Sequence, residues 1–265
     1  HGVLDGPMPA PGLHLEGPFL DAERRGAHDA ALVRPPTAED LALLQAPFPG
    51  RLLMTLAASA ATEQVTVPLR LAGVLLSLGH TEATAEEARR AFDRGVGLVT
   101  HLYNAMSPLA HRAPGTVGAA LADPRVTTCV IADGHHVHPL ALRAAWEAKG
   151  PERFACVSDA IGIAGTELRE TTLAGQRVVL DGGRCVNEEG NLAGSGIVLA
   201  DSLPVLVRHV GLTLAEALVA CATTPAAALG LGDRGQIAAH LRADLVALDA
   251  GHRVQRTWLG GVSVA

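Results

Sequence analysis

The 265 residues, 48% of them hydrophobic, are enough to bury one large core and too apolar for a disordered chain. A net charge of −6, with no lysine or arginine run, removes the electrostatic basis for binding nucleic acid or an anionic membrane surface. No apolar stretch reaches the roughly 18 residues of a spanning helix, no cleavable signal opens the chain, and Cys129, Cys156, Cys185 and Cys221 form neither a CxxC pair nor a disulfide framework, so a cytoplasmic protein is expected.

Residues 1–12, HGVLDGPMPAPG, are rich in glycine and proline and read as turns or a connector. A repeated unit follows, in which a short apolar run ends in polar or ionisable residues and leads into a helix-like stretch. The runs cover 11–19, 51–57, 73–81, 95–104, 126–136 and 153–160. Helices are predicted over 37–46, 83–95 and 138–150. The second opens on Thr84 with Glu87 three residues on, the pattern of a capping box, and stops at Gly95. Strands rich in Val, Leu and Ile that alternate with helices predict a parallel sheet covered on both faces.

Six such units, with no GxGxxG fingerprint, favour an α/β fold of the (β/α)8 TIM-like barrel kind over an open doubly wound sheet. Eight strands complete that barrel, so two are expected to be missing, at least one before Glu16, and the abrupt start at His1-Gly2 agrees. Residues 172–196 alternate and are broken by Gly-Gly and Glu-Gly, which predicts hairpins. Residues 201–230 read as helical and the tail as short strands. The expected organisation is a barrel over 1–235, incomplete at its N-terminus, and over 236–265 the C-terminal strands of a small β-sandwich domain.

In a barrel of this kind the chemistry sits where strands end. Glu16 closes the first run, His80 the third and His101 the fourth. A carboxylate and two neutral imidazoles are a ligand set for zinc or a similar divalent ion, with a position left for water. Two more histidines, His135 and His136, and then Asp159 fall at the next two strand ends. Lys149 is the only lysine and lies near a helix terminus, which excludes a pair of metals bridged by a carbamylated lysine on a strand end. Asp159 is placed to take a proton from water that a metal has acidified and to return it to a leaving amine. Asn104, Ala105, Arg112 and His28 suit an anionic, polyhydroxylated substrate: an amide with backbone donors, a planar guanidinium for phosphate, and a ring for a carbonyl or hydroxyl.

The stretches HLEGPFL (14–20), RGAH (25–28), SLGHTEAT (77–84), THLYNAMSP (100–108), IADGHHVHP (131–139), VSDAIGIAG (157–165) and NLAGSG (191–196) carry a resemblance. In order and spacing the chain closely resembles the N-acetylglucosamine-6-phosphate deacetylases of the amidohydrolase superfamily. The resemblance implies a metal-dependent barrel that hydrolyses the acetamide of N-acetylglucosamine 6-phosphate. Glu16, His80 and His101 are implied as metal ligands and Asp159 as the acid/base. His136 and the Asn104-Ala105 pair are implied to hold the sugar phosphate, and His28 to touch the substrate. Leu192 is implied to lie in a loop that closes over the sugar. Arg112 is implied to reach the neighbouring subunit's site in a homodimer.

Three departures stand out. Ala58 and Ser59 occupy positions where the family usually has proline and glutamate, Ala113 interrupts the family's stretch around Arg112, and the first strand, which in relatives with two metals supplies an HxH pair, is absent unless His1 belongs to it. The ligand set accepts zinc, iron or other divalent ions. Two other readings stay open: a deacetylase for N-acetylgalactosamine 6-phosphate, and a non-catalytic scaffold that kept the barrel.

Overall fold

The computed structural model describes residues 10–264; most of the connector expected over 1–12, and any role for His1, lie outside the described residues. The described chain forms two compact units, one up to Thr128 and one from Cys129, and the boundary falls inside a strand.

All six predicted strands are present: β1 (Gly12–Glu16), β2 (Arg51–Leu56), β3 (Leu75–Leu78), β4 (Leu98–Val99), β5 (Thr127–Ile131) and β6 (Phe154–Val157), hydrogen-bonded in sequence order. Pairing is parallel from β1 through β5, with Glu16 opposite Thr55, Leu53 opposite Leu75, Leu78 opposite Val99 and Val99 opposite Thr128. Met54, Leu56, Leu76, Leu78 and Val99 are all buried. Near-continuous burial along short strands is what helices on both faces of a parallel sheet require.

The predicted helices appear as α1 (Ala38–Leu44), α3 (Ala85–Asp93) and α5 (Pro139–Lys149). The capping box at Thr84 forms, with Glu87 bound back to the Thr84 amide, and Thr37 and Asp40 form a second one on α1. Two further helices complete the first unit, α2 (Glu63–Leu71) and α4 (Gly115–Ala122). Their local signals are poor: α2 carries Pro68 internally, and α4 opens on glycine after Pro114. Gly115 is required there, because its φ is 57° and a Cβ would lie 2.7 Å from the carbonyl oxygens of Ser107 and Pro108.

Between β1 and β4 the first unit holds a line of polar side chains, buried at Thr55, Ser77 and Thr100 and partly exposed at His14. His14 Nε2 lies 2.7 Å from Thr55 Oγ1, Thr55 Oγ1 lies 2.7 Å from Thr100 Oγ1, and Ser77 Oγ lies 2.6 Å from Thr100 Oγ1. Each hydroxyl can donate once and accept from its neighbour, so the three buried hydroxyls satisfy one another. Burial holds the His14 ring below the ordinary imidazole value, against the opposing pull of Glu16.

In the second unit the predicted hairpins form an antiparallel sheet of β7 (Glu170–Leu173), β8 (Gln176–Asp181) and β9 (Arg184–Asn187). Its two turns, Ala174-Gly175 and Gly182-Gly183, have positive φ at both central residues, the signature of twist-matched hairpin turns. Helical turns follow as α6 (Ser202–Val205), α7 (Leu214–Leu218) and α8 (Thr224–Ala228), the first two each continued by five residues of wider, π-type helix. The tail forms an antiparallel sheet of β10 (Leu245–Leu248), β11 (Val254–Leu259) and β12 (Val262–Ser263). The four cysteines are free thiols; Cys156 is buried, whereas Cys129 is half-buried. No helix of the described residues is long and apolar enough to cross a membrane.

Truncating the fully buried Leu78 to alanine should lower unfolding free energy by about 2–5 kcal/mol. Removing the α3 cap with Thr84→Ala should cost only about 1 kcal/mol. Urea denaturation of both variants measures the difference; equal losses would mean that the parallel sheet is not the packed core described.

Candidate metal centre

Glu16 is the last residue of β1, and His80 and His101 are each the second residue beyond β3 and β4. At both histidines the backbone turns into the left-handed region, with φ of 47° and 31°. For a residue with a Cβ that geometry costs about 1–3 kcal/mol and persists only where the surroundings enforce it.

The three side chains meet at one point. Glu16 Oε1 lies 3.0 Å from His80 Nε2 and 2.8 Å from His101 Nε2, and the two nitrogens are 3.0 Å apart. Both imidazoles are 7% exposed and the glutamate 25%. His80 Nδ1 lies 2.7 Å from the Arg24 carbonyl oxygen, which only accepts, so Nδ1 carries the proton and Nε2 presents a lone pair. Burial pushes the Glu16 carboxyl up, but the neighbouring His101 and then His80 rings outweigh it and hold the acid well below the usual carboxylate range.

This donor set fits a divalent cation. Tetrahedral zinc with bonds of about 2.0–2.1 Å spaces its ligand atoms at about 3.3 Å, so the triangle must open by only a few tenths of an ångström. One carboxylate and two imidazoles without a thiolate suit zinc and also iron or other first-row divalent ions. Glu16, His80 and His101 are the group of His, Cys, Asp and Glu side chains with such spacing among the described residues.

The other predicted residues of the first unit divide. The His28 ring packs edge-on against His80 with centroids 4.8 Å apart, and burial, then the His80 ring beside it, lowers its pKa. Asn104 turns its amide nitrogen back to the carbonyls of His101 and Leu102, at 3.2 and 3.3 Å, and so shapes the loop that carries His101. Ala105, with φ of 49°, accepts the Thr81 amide through its carbonyl. Arg112 is exposed and takes part in none of the ion pairs of the described residues.

In the second unit Asp159 is the second residue beyond β6 and also has positive φ, 51°. Its carbonyl accepts the Ser195 amide at 2.7 Å, so the loop that carries Leu192 is stitched to the Asp159 turn. His136 is held by a residue the sequence reading passed over. Asp133, second beyond β5, accepts the backbone amides of His135 and His136 at 2.9 Å and His136 Nδ1 at 2.7 Å. Two adjacent histidines drew attention from it; the register it shares with His80, His101 and Asp159 was the available signal.

Burial pushes the Asp133 carboxyl up, but the His136 ring and the two amides outweigh it and hold it at about 2. A depressed folded-state value makes this bond a contribution that is complete above the ordinary aspartate value of 3.8 and lost as pH falls toward about 2. Asp133→Asn should therefore lower stability at neutral pH by roughly 2 kcal/mol. The gap to the parent should narrow as pH drops below 4, measured by denaturant unfolding across pH 3–7; a pH-independent gap would deny the charge its role.

The sequence profile of the amidohydrolase family matches residues 12–264. An N-acetylgalactosamine-6-phosphate deacetylase from Shewanella sp. (strain ANA-3) is 36% identical over 250 residues, covering 94% of this chain and 64% of that protein. An N-acetylglucosamine-6-phosphate deacetylase from Haemophilus influenzae is 36% identical over 254 residues, covering 94% and 66%. Among solved structures, an aspartate-to-alanine mutant of N-acetyl-D-glucosamine-6-phosphate deacetylase from Mycobacterium smegmatis, in complex with N-acetyl-D-glucosamine-6-phosphate, superposes with a TM-score of 0.90 at 34% identity. That match covers 95% of this chain and 68% of that one. The chain thus spans about two thirds of the length of the relatives it matches. With the profile running from β1 to β12, this chain belongs to the amidohydrolase family.

Proposed function

We propose that the chain is the catalytic part of a deacetylase that hydrolyses N-acetylglucosamine 6-phosphate to glucosamine 6-phosphate and acetate. The observation that carries this reading is the convergence of Glu16, His80 and His101 at strand ends, in a chain of a hydrolytic family whose similar members are named for this chemistry. The finer architecture we infer is a (β/α)8 barrel over 1–235, of which six strands are described, with 236–265 belonging to a small β-sandwich domain. We assign it to the cytoplasm and to a homodimer.

Glu16, His80 and His101 would hold a divalent ion, with zinc the first choice and iron the next. When bound, such an ion polarises the acetyl carbonyl and makes water a nucleophile near neutral pH. The chain's own residues do the rest. Asp159 takes the proton from the attacking water and delivers it to the sugar nitrogen as the C–N bond breaks, so acetate and a free amine leave. His28 touches the substrate beside His80; His136, Asn104 and Ala105 hold the sugar phosphate; Arg112 pairs with phosphate in the partner subunit's site; and the Leu192 loop closes over the sugar.

A second reading has a specific observation behind it. Relatives named for the galacto- and the gluco-configured sugar match at the same 36% identity. A triad that serves to hold a metal carries no information on the hydroxyl that distinguishes the epimers, so assays on both decide between them.

Asp159→Asn should keep the parent's metal content while kcat falls by about 10²–10⁴, the usual worth of a positioned acid/base. Metal analysis alongside steady-state kinetics tests this, and substantial retained turnover removes Asp159 from the mechanism. Arg112→Ala should raise KM for the phosphorylated sugar about tenfold or more, as expected for loss of a charge-assisted pair. An equal effect on the unphosphorylated sugar contradicts the phosphate role.

A further inference from the structure

His80 presents its ring from a backbone that L-residues avoid, and one side chain on another loop brackets that backbone. Asp21 follows β1 by five residues. Its amide donates to the His80 carbonyl at 3.0 Å. Its Oδ2 accepts both the Thr81 hydroxyl and the Glu82 amide at 2.9 Å, and its Oδ1 accepts the Ser59 hydroxyl at 2.5 Å. The Thr81 hydroxyl in turn accepts the Ala58 amide at 3.2 Å. Asp21 therefore ties the loop after β1 to the loops after β2 and β3, and it grips His80 and the two residues that follow.

The rest of the same loop completes the enclosure. Arg24 supplies the carbonyl that fixes the His80 ring, and at Gly26, with φ of 58°, a Cβ would stand 3.3 Å from His80 Cε1. His28 lies edge-on to the ring. The peptide after His80 is held on its other side by Ala105, whose carbonyl accepts the Thr81 amide at 3.1 Å. A strained ligand position is stable only when over-determined in this manner. Of the hydrogen bonds involved, those of the Asp21 carboxylate are the ones a single substitution can remove without touching a metal ligand.

We propose that Asp21 is a positioning residue for His80: its carboxylate holds the 80–82 turn so that His80 Nε2 points at Glu16 and His101 before any cation arrives. This rests on the metal reading of those three residues. It also accounts for Ser59, a departure from the family pattern, since a serine there gives Asp21 a hydroxyl donor where a second carboxylate would repel it.

The test is the zinc dissociation constant of the full chain, measured by competition with a chromophoric chelator, together with the melting temperature of the metal-free protein. Asp21→Ala should weaken zinc binding about tenfold or more, the scale on which supports of metal ligands act. Asp21→Asn still accepts from Thr81 and Glu82 and turns its amide nitrogen to Ser59, so it should stay close to the parent. If the alanine variant does not fold, Thr81→Val removes one donor to Oδ2 at constant shape and should weaken binding in the same direction. An alanine variant that binds like the parent, an asparagine variant that loses as much as alanine, or unchanged binding in the valine variant overturns the proposal. A loss of metal-free melting temperature with unaltered zinc affinity marks Asp21 as merely structural and overturns it too. A parent chain that takes up no zinc sinks the metal centre itself, a different failure.

Discussion

Three lone-pair atoms, Glu16 Oε1, His80 Nε2 and His101 Nε2, stand within 3.0 Å of one another at a largely buried point. Left to themselves they repel, and only something positive between them, a proton or a cation, makes the arrangement favourable. Much of the strand-end face of the first unit follows from that constraint. The Arg24 carbonyl commits one His80 nitrogen to donate so that the other is bare. The Thr55–Thr100–Ser77 hydroxyl chain, with His14, lies one to three residues behind the three ligands and satisfies the polar groups that short strands bring inward there.

Backbone strain marks the same places. His80, His101 and Asp159 each stand two residues past a strand and each has positive φ. Glycine would relieve that cost, on the order of 1–3 kcal/mol per site, yet glycine has no ligand or acid to offer. The expense is met by local hydrogen bonds: Asp21 and Ala105 around the 80–82 turn, Asn104 behind His101, and Ser195 at Asp159. Loops that look irregular in sequence are thus held by specific hydrogen bonds in each unit.

What the sequence disclosed follows the range of the forces involved. The six strands and α3 were legible because apolar runs, a capping box and a terminal glycine act within a few residues. The Gly-containing hairpin turns were legible for the same reason. Helices α2 and α4 were not, since Pro68 and the opening Gly115 contradict a local helical reading that tertiary packing overrides. Glu16, His80 and His101 could be picked out because strand ends on one sheet face one way. The Arg24 carbonyl could not, because every residue has one and only the folded loop aims it. The bracketing of His80 by Asp21 joins positions 59 residues apart in sequence, beyond any local pattern.

The register itself is informative. The second position beyond β3, β4, β5 and β6 is occupied by His80, His101, Asp133 and Asp159 in turn. A chain that leaves a strand with the same turn points the side chain at that position in a repeatable direction, so one backbone device can be loaded with a ligand, an acid or an orienting group. Asp133 does for His136 what the Arg24 carbonyl does for His80: each accepts a hydrogen bond from Nδ1 and leaves Nε2 for another partner. The difference lies in charge. Either acceptor fixes the tautomer, and the carboxylate, being charged, also makes the ring behind which it stands more basic. Two histidines on different strand ends thus carry the same tautomer lock, and the atom behind each ring sets how basic its remaining nitrogen is.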